Sequence, residues 1–411
     1  RLAIASSGTL DNRGGLVSSA EEISVSDPSA ATTLAITNTD GTFIAGQQLN
    51  ITAHQFTGGK LLSLNDLAIG LGGDLDNVDE ITANHNATLS AAGTLANHGT
   101  LQAGNLLALT AGTLDNRANG KIIAPTLSLA STATHTLTNR GLIDGGQTRI
   151  DAVTLQNLGT GRLYGDHLAI AANALLNAAE GADQPVIAAR NRLDLAVSTL
   201  DNRDGALIFS AGDMAIGGAL DASHRATGRA GTVTNASATF EALGELALEA
   251  TALSNIDIHF LTGVVDSGPI DVQAYQNYGA PYRYTDDQVS TYLAKPNSEQ
   301  WVLYLSTPTE TSNHWYRYDY SLHTSETVVL ERQAANIQAG GALRIDAIEV
   351  LNDKSHLLAG GDLTIAADIL NNIDATGQRI ETATGTVTRY WRNKRSSGLP
   401  AQGIETSAYA A

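Results

Sequence analysis

The chain has no cysteine among its 411 residues. That excludes a disulfide framework and a thiolate metal site. It also suits a protein exported through an oxidising compartment, where stray thiols cross-link. Charged residues make up only 16%, aromatic rings 5%, and proline occurs 8 times. No apolar run approaches the ~20 residues that a membrane-spanning helix needs. Cations are the scarcer sign: 24 Lys and Arg stand against 42 Asp and Glu, a formal net charge of −18. Such a surface repels nucleic acid and heparin-like polyanions, so neither is an expected partner.

Chemical motifs are missing as well. There is no His-Glu-x-x-His, Gly-x-Ser-x-Gly, Gly-x-x-x-x-Gly-Lys-Ser/Thr or EF-hand loop. "GTGRLYG" (Gly159–Gly165) misses the dinucleotide fingerprint. "YTDDQ" offers Asp286 and Asp287 side by side, but neighbours on a strand point to opposite faces, so a turn reads better than a catalytic pair. No enzyme activity, cofactor or metal is expected. The chain opens on "RLAIASSG", without an initiator Met or a signal peptide, and reads as an interior piece of something longer.

What the chain does contain is repetition. "GTLDNRGGLVSS" at residues 8–19 returns from Gly112 to Ala124 and from Ser198 to Ser210, with looser copies from Gly93 and His135. A catalytic motif is written once; a motif written many times builds something. Marking the Asn of each Leu/Ile/Val-x-Asn gives Asn12, Asn38, Asn77, Asn97, Asn116, Asn139, Asn157, Asn177, Asn202, Asn235 and Asn255, then Asn352 and Asn372 after a gap. Most steps are 18 to 26 residues, and the 39 from Asn38 to Asn77 leave room for one coil without its mark. Periods in this range signal a solenoid. Within a period, apolar residues alternate in short runs, as in "LLALTAGTLDN" (Leu106–Asn116), which is strand periodicity. The sequence predicts an all-β chain, a right-handed parallel β-helix with three strands per coil and a repeat of about 20 residues.

Stacking is obligatory for such a repeat. The backbone entropy of ordering one coil exceeds what its few buried aliphatic side chains return. Neighbouring coils at ~4.8 Å supply the missing hydrogen bonds and core. Asn97, Asn116, Asn139, Asn157 and Asn177 are then expected to be structural. Asn tolerates a left-handed corner, and its amide can ladder onto the next coil.

The Leu-x-Asn-x-x-Gly-x-Ile/Leu-x-Ala pattern resembles the filamentous-haemagglutinin repeat of two-partner-secreted exoproteins, a group of bacterial adhesins and contact-dependent growth inhibition effectors. Copies at Gly93–Thr110, Gly112–Leu129, Leu155–Ala171 and Ala335–Asn372 carry the resemblance, which covers nearly the whole chain. "GTVTRYWRNKR" (Gly385–Arg395) is also similar to a segment that follows such repeats. The resemblance implies a non-catalytic stalk segment of a secreted, cell-surface protein used in adhesion or toxin delivery. It implies an outer-membrane transporter as partner during export and a protein or glycan receptor on target cells. The family's amino-terminal secretion domain and carboxy-terminal toxin are not recognisable here. The segment itself is expected to be monomeric.

The repeat lapses between about residues 260 and 332. Nine of the 12 Tyr lie from Tyr275 to Tyr320, with Trp301 and Trp315 among them. "WVLYLS", "HWYRYDYSL" and "ETVVLER" read as three strands of an aromatic-rich antiparallel insertion. The expected organisation is repeats over 1–259, insertion over 260–332, repeats over 333–384 and an irregular tail over 385–411. In "WYRYDY", Tyr316, Tyr318 and Tyr320 share one face, and Trp315, Arg317 and Asp319 share the other. One reading packs the Tyr stripe down as a brace. The other makes the segment a partner-binding face, with Trp301, Trp315, Tyr316, Arg317, Tyr318, Asp319 and Tyr320 as candidate contacts, of which Trp315, Arg317, Asp319 and Trp301 stay free if the Tyr stripe is the brace. The alternative to a stalk is a polysaccharide-degrading enzyme, because β-helices host such activities. That would need carboxylates with Lys or Arg converging on one wall of adjacent coils, whereas Asp and Glu here recur mostly at corners.

Overall fold

The computed structural model describes residues 1–29, 32–131, 136–294, 302–393, 397 and 401–411. They form two units. The first is Arg1–Phe260 with Arg332–Asp374, and the second is Leu261–Glu331 with Ala375–Ala411.

The first unit is the expected parallel β-helix. A single coil is clearest at Leu142–Leu158, a 17-residue stretch that runs along three walls in turn and pairs in parallel with Arg162–Ala178 over its whole length. Alternation decides which residues face in. In Leu106–Asn116 the inward set is Leu107, Leu109, Ala111, Leu114 and Asn116, each no more than 1% exposed. Registers are in phase, so like residues stack. Leu95, Leu114, Leu137, Leu155, Leu175 and Leu200 follow one another up one wall, and Val233, Leu253 and Val350 continue the row.

Two positions after that Leu row stands the asparagine row, also pointing inward. Asn77, Asn97, Asn116, Asn139, Asn157, Asn177, Asn202, Asn235 and Asn255 are fully buried. A buried primary amide must be satisfied, or its desolvation is uncompensated. Each does so in the same direction. Asn97 Nδ2 donates to Asn116 Oδ1 at 2.8 Å and Asn116 Nδ2 to Asn139 Oδ1 at 2.7 Å, and the series continues unbroken to Asn372. The second N–H of each amide reaches a backbone carbonyl where the next coil turns into its following strand, as Asn97 to Lys121 O at 3.2 Å and Asn157 to Val186 O at 3.1 Å. One side chain thus ties two strands of the coil above.

The corner conformation does not fall on the Asn, contrary to the sequence expectation. Non-glycine residues with positive φ include Asp40, Asp204, Ser237 and Lys354, each two positions after a ladder Asn, and Gly14 and Gly159 hold the same place in their coils. The Asn itself is a strand residue, because only a strand end aims its amide along the stack. The Gly that follows in the motif answers to space. A Cβ on Gly120 or Gly161 would collide with the Oδ1 of Asn116 or Asn157.

Irregular steps in the repeat each have a cause. The coil between Asn38 and Asn77 exists, paired through Gln55–Thr57, but the position opposite Asn77 falls to Gly58. Asn77 Oδ1 consequently has no donor among the described residues. The long step from Asn202 to Asn235 is taken up by an outer hairpin, Ala219–Leu220 with Ala226–Thr227, while Asn202 Nδ2 still reaches Asn235 Oδ1 at 2.9 Å. Across the largest gap, 97 positions, Asn255 Nδ2 donates to Asn352 Oδ1 at 2.8 Å. Asp257 ties that excursion at its base, accepting from the backbone N–H of His259 at 3.0 Å and of Gln333 at 3.1 Å.

The second unit is antiparallel. Its five-stranded sheet runs Tyr284–Thr285, Leu261–Asn277, Trp315–Glu331, Arg379–Asn393, Ala401–Ala410 in spatial order. A smaller sheet joins Ser290–Ala294, Val302–Ser306 and Thr311–Ser312. Two expectations are corrected. The runs from His314 and from Glu326 are one 17-residue strand, because ladders on both sides carry the turn-like "HTS" through. The resumed repeats end at Asp374 rather than 384, and the tail is not irregular. Arg379–Asn393 and Ala401–Ala410 complete the insertion's sheet, since the Trp315–Glu331 strand would otherwise leave an edge open.

Replacing Asn116 by Leu should strand Asn97 Nδ2 and Asn139 Oδ1 inside the wall, at about 1–3 kcal/mol for each orphaned group. Amide hydrogen exchange should accelerate in the coils on either side, and Asn12→Leu, at a half-buried rung, should cost less. Unchanged protection around Asn116→Leu would remove the ladder from the stabilising interactions.

Candidate binding face

Register assigns every side chain of the five-stranded sheet to one of two faces. On one face Trp315 lies beside Asn277 and Tyr390, with Arg317 beside Tyr275 and Thr388. This is the face expected to be free, and its anchor is not free. Trp315 is 1% exposed, stacks on Tyr390 at 4.0 Å and packs with Tyr275 and Leu305. Its indole N–H donates to Leu303 O at 3.3 Å, so the small sheet covers it. An aromatic this large is buried wherever a second layer can reach it, and sequence alternation does not reveal that layer. Trp301 lies outside the described residues.

Beyond Trp315 the same face becomes a polar network. Arg317 Nε donates to Asp319 Oδ2 at 2.7 Å, and Gln273 Nε2 donates to Asp319 Oδ1. The Tyr275 hydroxyl is within donating reach of Gln273 Oε1 at 2.8 Å and Asp286 Oδ1 at 3.0 Å. Burial, with the adjacent Asp286 carboxylate, pushes that hydroxyl up to about 12. Arg317 and Asp319 therefore spend their charge on each other.

The opposite face carries Tyr316, Tyr318 and Tyr320, and the structure extends this stripe with residues the sequence did not single out. Tyr278 lies 6.1 Å from Tyr316, Tyr316 is 6.3 Å from Tyr318, and Tyr409 is 5.2 Å from Tyr318 and 5.3 Å from Tyr320, centroid to centroid. Arg283 lies over the Tyr318 ring at 3.9 Å and donates to the Tyr409 hydroxyl at 2.8 Å. His314 stacks on Tyr278 at 3.9 Å and accepts from Arg389 Nε at 3.0 Å. Burial and the Arg389 charge hold its imidazole below the ordinary value. Tyr278, at 57%, is the exposed end of this stripe, Tyr316, Tyr320 and Tyr409 are half-buried, and Tyr318 is buried beneath Arg283. Tyr409 comes from a strand more than 80 residues downstream of Tyr320, which no local pattern could have joined to it.

Acid–arginine groups do converge on neighbouring coils of the solenoid. Arg190 bridges Asp144 at 2.7 Å and Asp166 at 3.1 Å. The fully buried Asp194 holds Arg192 at 2.8 Å, lies 2.9 Å from His167 Nε2, and accepts from the backbone N–H of Ala226 at 2.9 Å, clamping the outer hairpin. These carboxylates are committed to cations and backbone, an arrangement that braces a surface rather than one poised for proton transfer.

Two outcomes follow for the second unit. Trp315→Ala should unfold it, at about 3–5 kcal/mol for a buried Trp, with its tyrosine near-ultraviolet signal lost while solenoid circular dichroism persists; a stable Trp315→Ala protein would contradict the packing. His314 titrates lower folded than unfolded, so its contribution is present above about pH 6.5 and lost as pH falls. Melting of this unit between about pH 7 and 5 should therefore flatten in His314→Gln, and an identical slope would exclude the histidine.

The model of the family described as haemagglutinin repeat matches residues 1–80, 64–141, 186–267 and 318–388. Among curated proteins, Toxin CdiA of Escherichia coli is 27% identical over 431 aligned residues, which cover 90% of this chain and 13% of that protein. The chain thus spans a small part of the length of this relative. No solved structure matches it. With repeats matched over most of its length and stacked coil upon coil, the chain belongs to the haemagglutinin-repeat family, a family of secreted cell-surface proteins of two-partner secretion systems.

Proposed function

We propose that this chain is a non-catalytic stalk segment of an adhesin or contact-dependent inhibition exoprotein, and that its antiparallel unit is the part offered to a receptor on target cells. The observation that carries the reading is the Asn255–Asn352 hydrogen bond, 2.8 Å long across 97 positions. The solenoid is complete without residues 261–331, so their aromatic content serves something other than coil stacking. Aromatic usage divides accordingly. All five Phe lie in the solenoid unit, whereas all three Trp and eleven of twelve Tyr lie in the antiparallel unit. Phe fills a dry core, while Tyr and Trp, with a polar tip on an apolar body, suit half-wet surfaces and interfaces.

Of the residues singled out in the sequence, Tyr316 and Tyr320 are the ones we assign to contact, with Tyr318 holding Arg283 between them and Arg317 and Asp319 supporting the sheet from behind. Export through a dedicated outer-membrane transporter follows from the family, and the segment acts as a monomer in this reading.

Labelled full chain should attach to target cells, and Tyr278→Ala with Tyr316→Ala should weaken attachment about tenfold or more without moving the melting curve. Arg344→Gln on the solenoid should leave attachment unchanged. Normal attachment by the double Tyr variant would reduce the unit to a brace. Surface display of the parent protein should cease when its transporter gene is deleted, and display that persists would refute the export route.

A further inference from the structure

Charge is distributed unequally between the units. The solenoid unit carries 16 Lys and Arg against 31 Asp and Glu, while the antiparallel unit carries 8 against 11. Two of those cations stand on the tyrosine face. Arg283 lies over the Tyr318 ring at 3.9 Å, donates to the Tyr409 hydroxyl, and has no carboxylate partner among the described residues. Arg389, near the other end of the ring series, gives Nε to His314 and has its remaining charge 3.6 Å from Glu405. A guanidinium fixed on an aromatic face keeps its unused N–H groups in a preset fork, the geometry that carboxylate and sulfate oxygens match. Between the two cations the rings form a continuous row, from Tyr278 through Tyr316 and Tyr318 to Tyr409, with successive centroids 5 to 6 Å apart.

We propose that the tyrosine row with Arg283 and Arg389 binds a linear acidic polysaccharide, resting on the reading that this unit is displayed to target cells. The shape favours a chain over a compact anion, because the contacts are spread along a row and no single pocket collects them. It also favours a glycan over a folded protein, since a protein hot spot needs a deep receptacle for its anchor, and the most buried ring here, Tyr318, is already roofed by Arg283. Pyranose rings present apolar C–H faces to aromatic surfaces and hydroxyls to phenols, and their carboxylates or sulfates would meet the two guanidiniums. The acidic solenoid repels the same polymer, so binding is confined to this face.

The test uses the full chain with alginate, a carboxylated linear polysaccharide, and with neutral dextran. Alginate should retain the chain, less so as salt rises, and dextran should not. Arg283→Gln and Tyr316→Ala should each weaken alginate binding about tenfold with an unchanged melting curve, and Arg344→Gln should not. Equal binding to both polymers, no binding to alginate, or indifference to both substitutions would overturn the proposal. A cell assay separates this failure from that of the display reading. Attachment that is abolished by protease treatment of the cells and not competed by soluble alginate means a protein receptor, which sinks the glycan and spares the display reading. Attachment indifferent to the tyrosine substitutions sinks the display reading itself.

Discussion

A primary amide sealed inside a protein must find partners for two N–H groups and one carbonyl, and in this chain that requirement sets the geometry. Each ladder Asn meets it only if the coil above presents another Asn oxygen and a backbone carbonyl at the same height. A slip of one residue would turn the Asn outward and an exposed residue inward. Hydrophobic packing alone would tolerate several registers of a Leu-rich wall, whereas the amides select one. The Leu row beside them, in register from Leu95 to Val350, contributes the driving force and inherits its alignment from the ladder.

Because the rungs from Asn77 to Asn372 are joined by the same amide-to-amide bond, the stack accepts interruptions between rungs more readily than within them. The outer hairpin between Asn202 and Asn235 and the excursion between Asn255 and Asn352 both leave the wall and return to an unaltered rung-to-rung bond. The one rung that lacks its Asn shows the converse. With Gly58 in that place, Asn77 Oδ1 is left buried and without a donor, and the ladder below it is separate from the ladder above. Solenoids are near-neighbour structures, so such a defect stays local.

The antiparallel unit obeys a different logic. It has no repeat to align it, and its order comes from one large ring, Trp315, enclosed by a second small sheet, and from long antiparallel ladders on both sides of a single central strand. The other face carries a row of mostly half-buried phenols, exposed at Tyr278, with two arginines. The two faces of one sheet therefore differ in kind: Trp315 is enclosed on one, and on the other the tyrosines lie beside Arg283 and Arg389.

The sequence by itself determined the solenoid. Its period, the strand alternation within each period, the positions of the inward Leu and Asn, and even the coil with a missing mark can be read from spacing, because each coil is a local, repeated solution to the same packing problem. The location and antiparallel character of the insertion were legible for the opposite reason, a break in that period with a change in composition. Which residue takes the left-handed corner was not legible, since Asn, Asp and Gly share that propensity and only the buried ladder reserves Asn for the strand. The tail's return to the insertion's sheet was not legible either, nor was the burial of Trp315 beneath Leu303 and Leu305 or the union of Tyr409 with Tyr318. These depend on contacts between segments tens of residues apart with no repeat to index them, and only the tertiary structure decides which strand finds which edge.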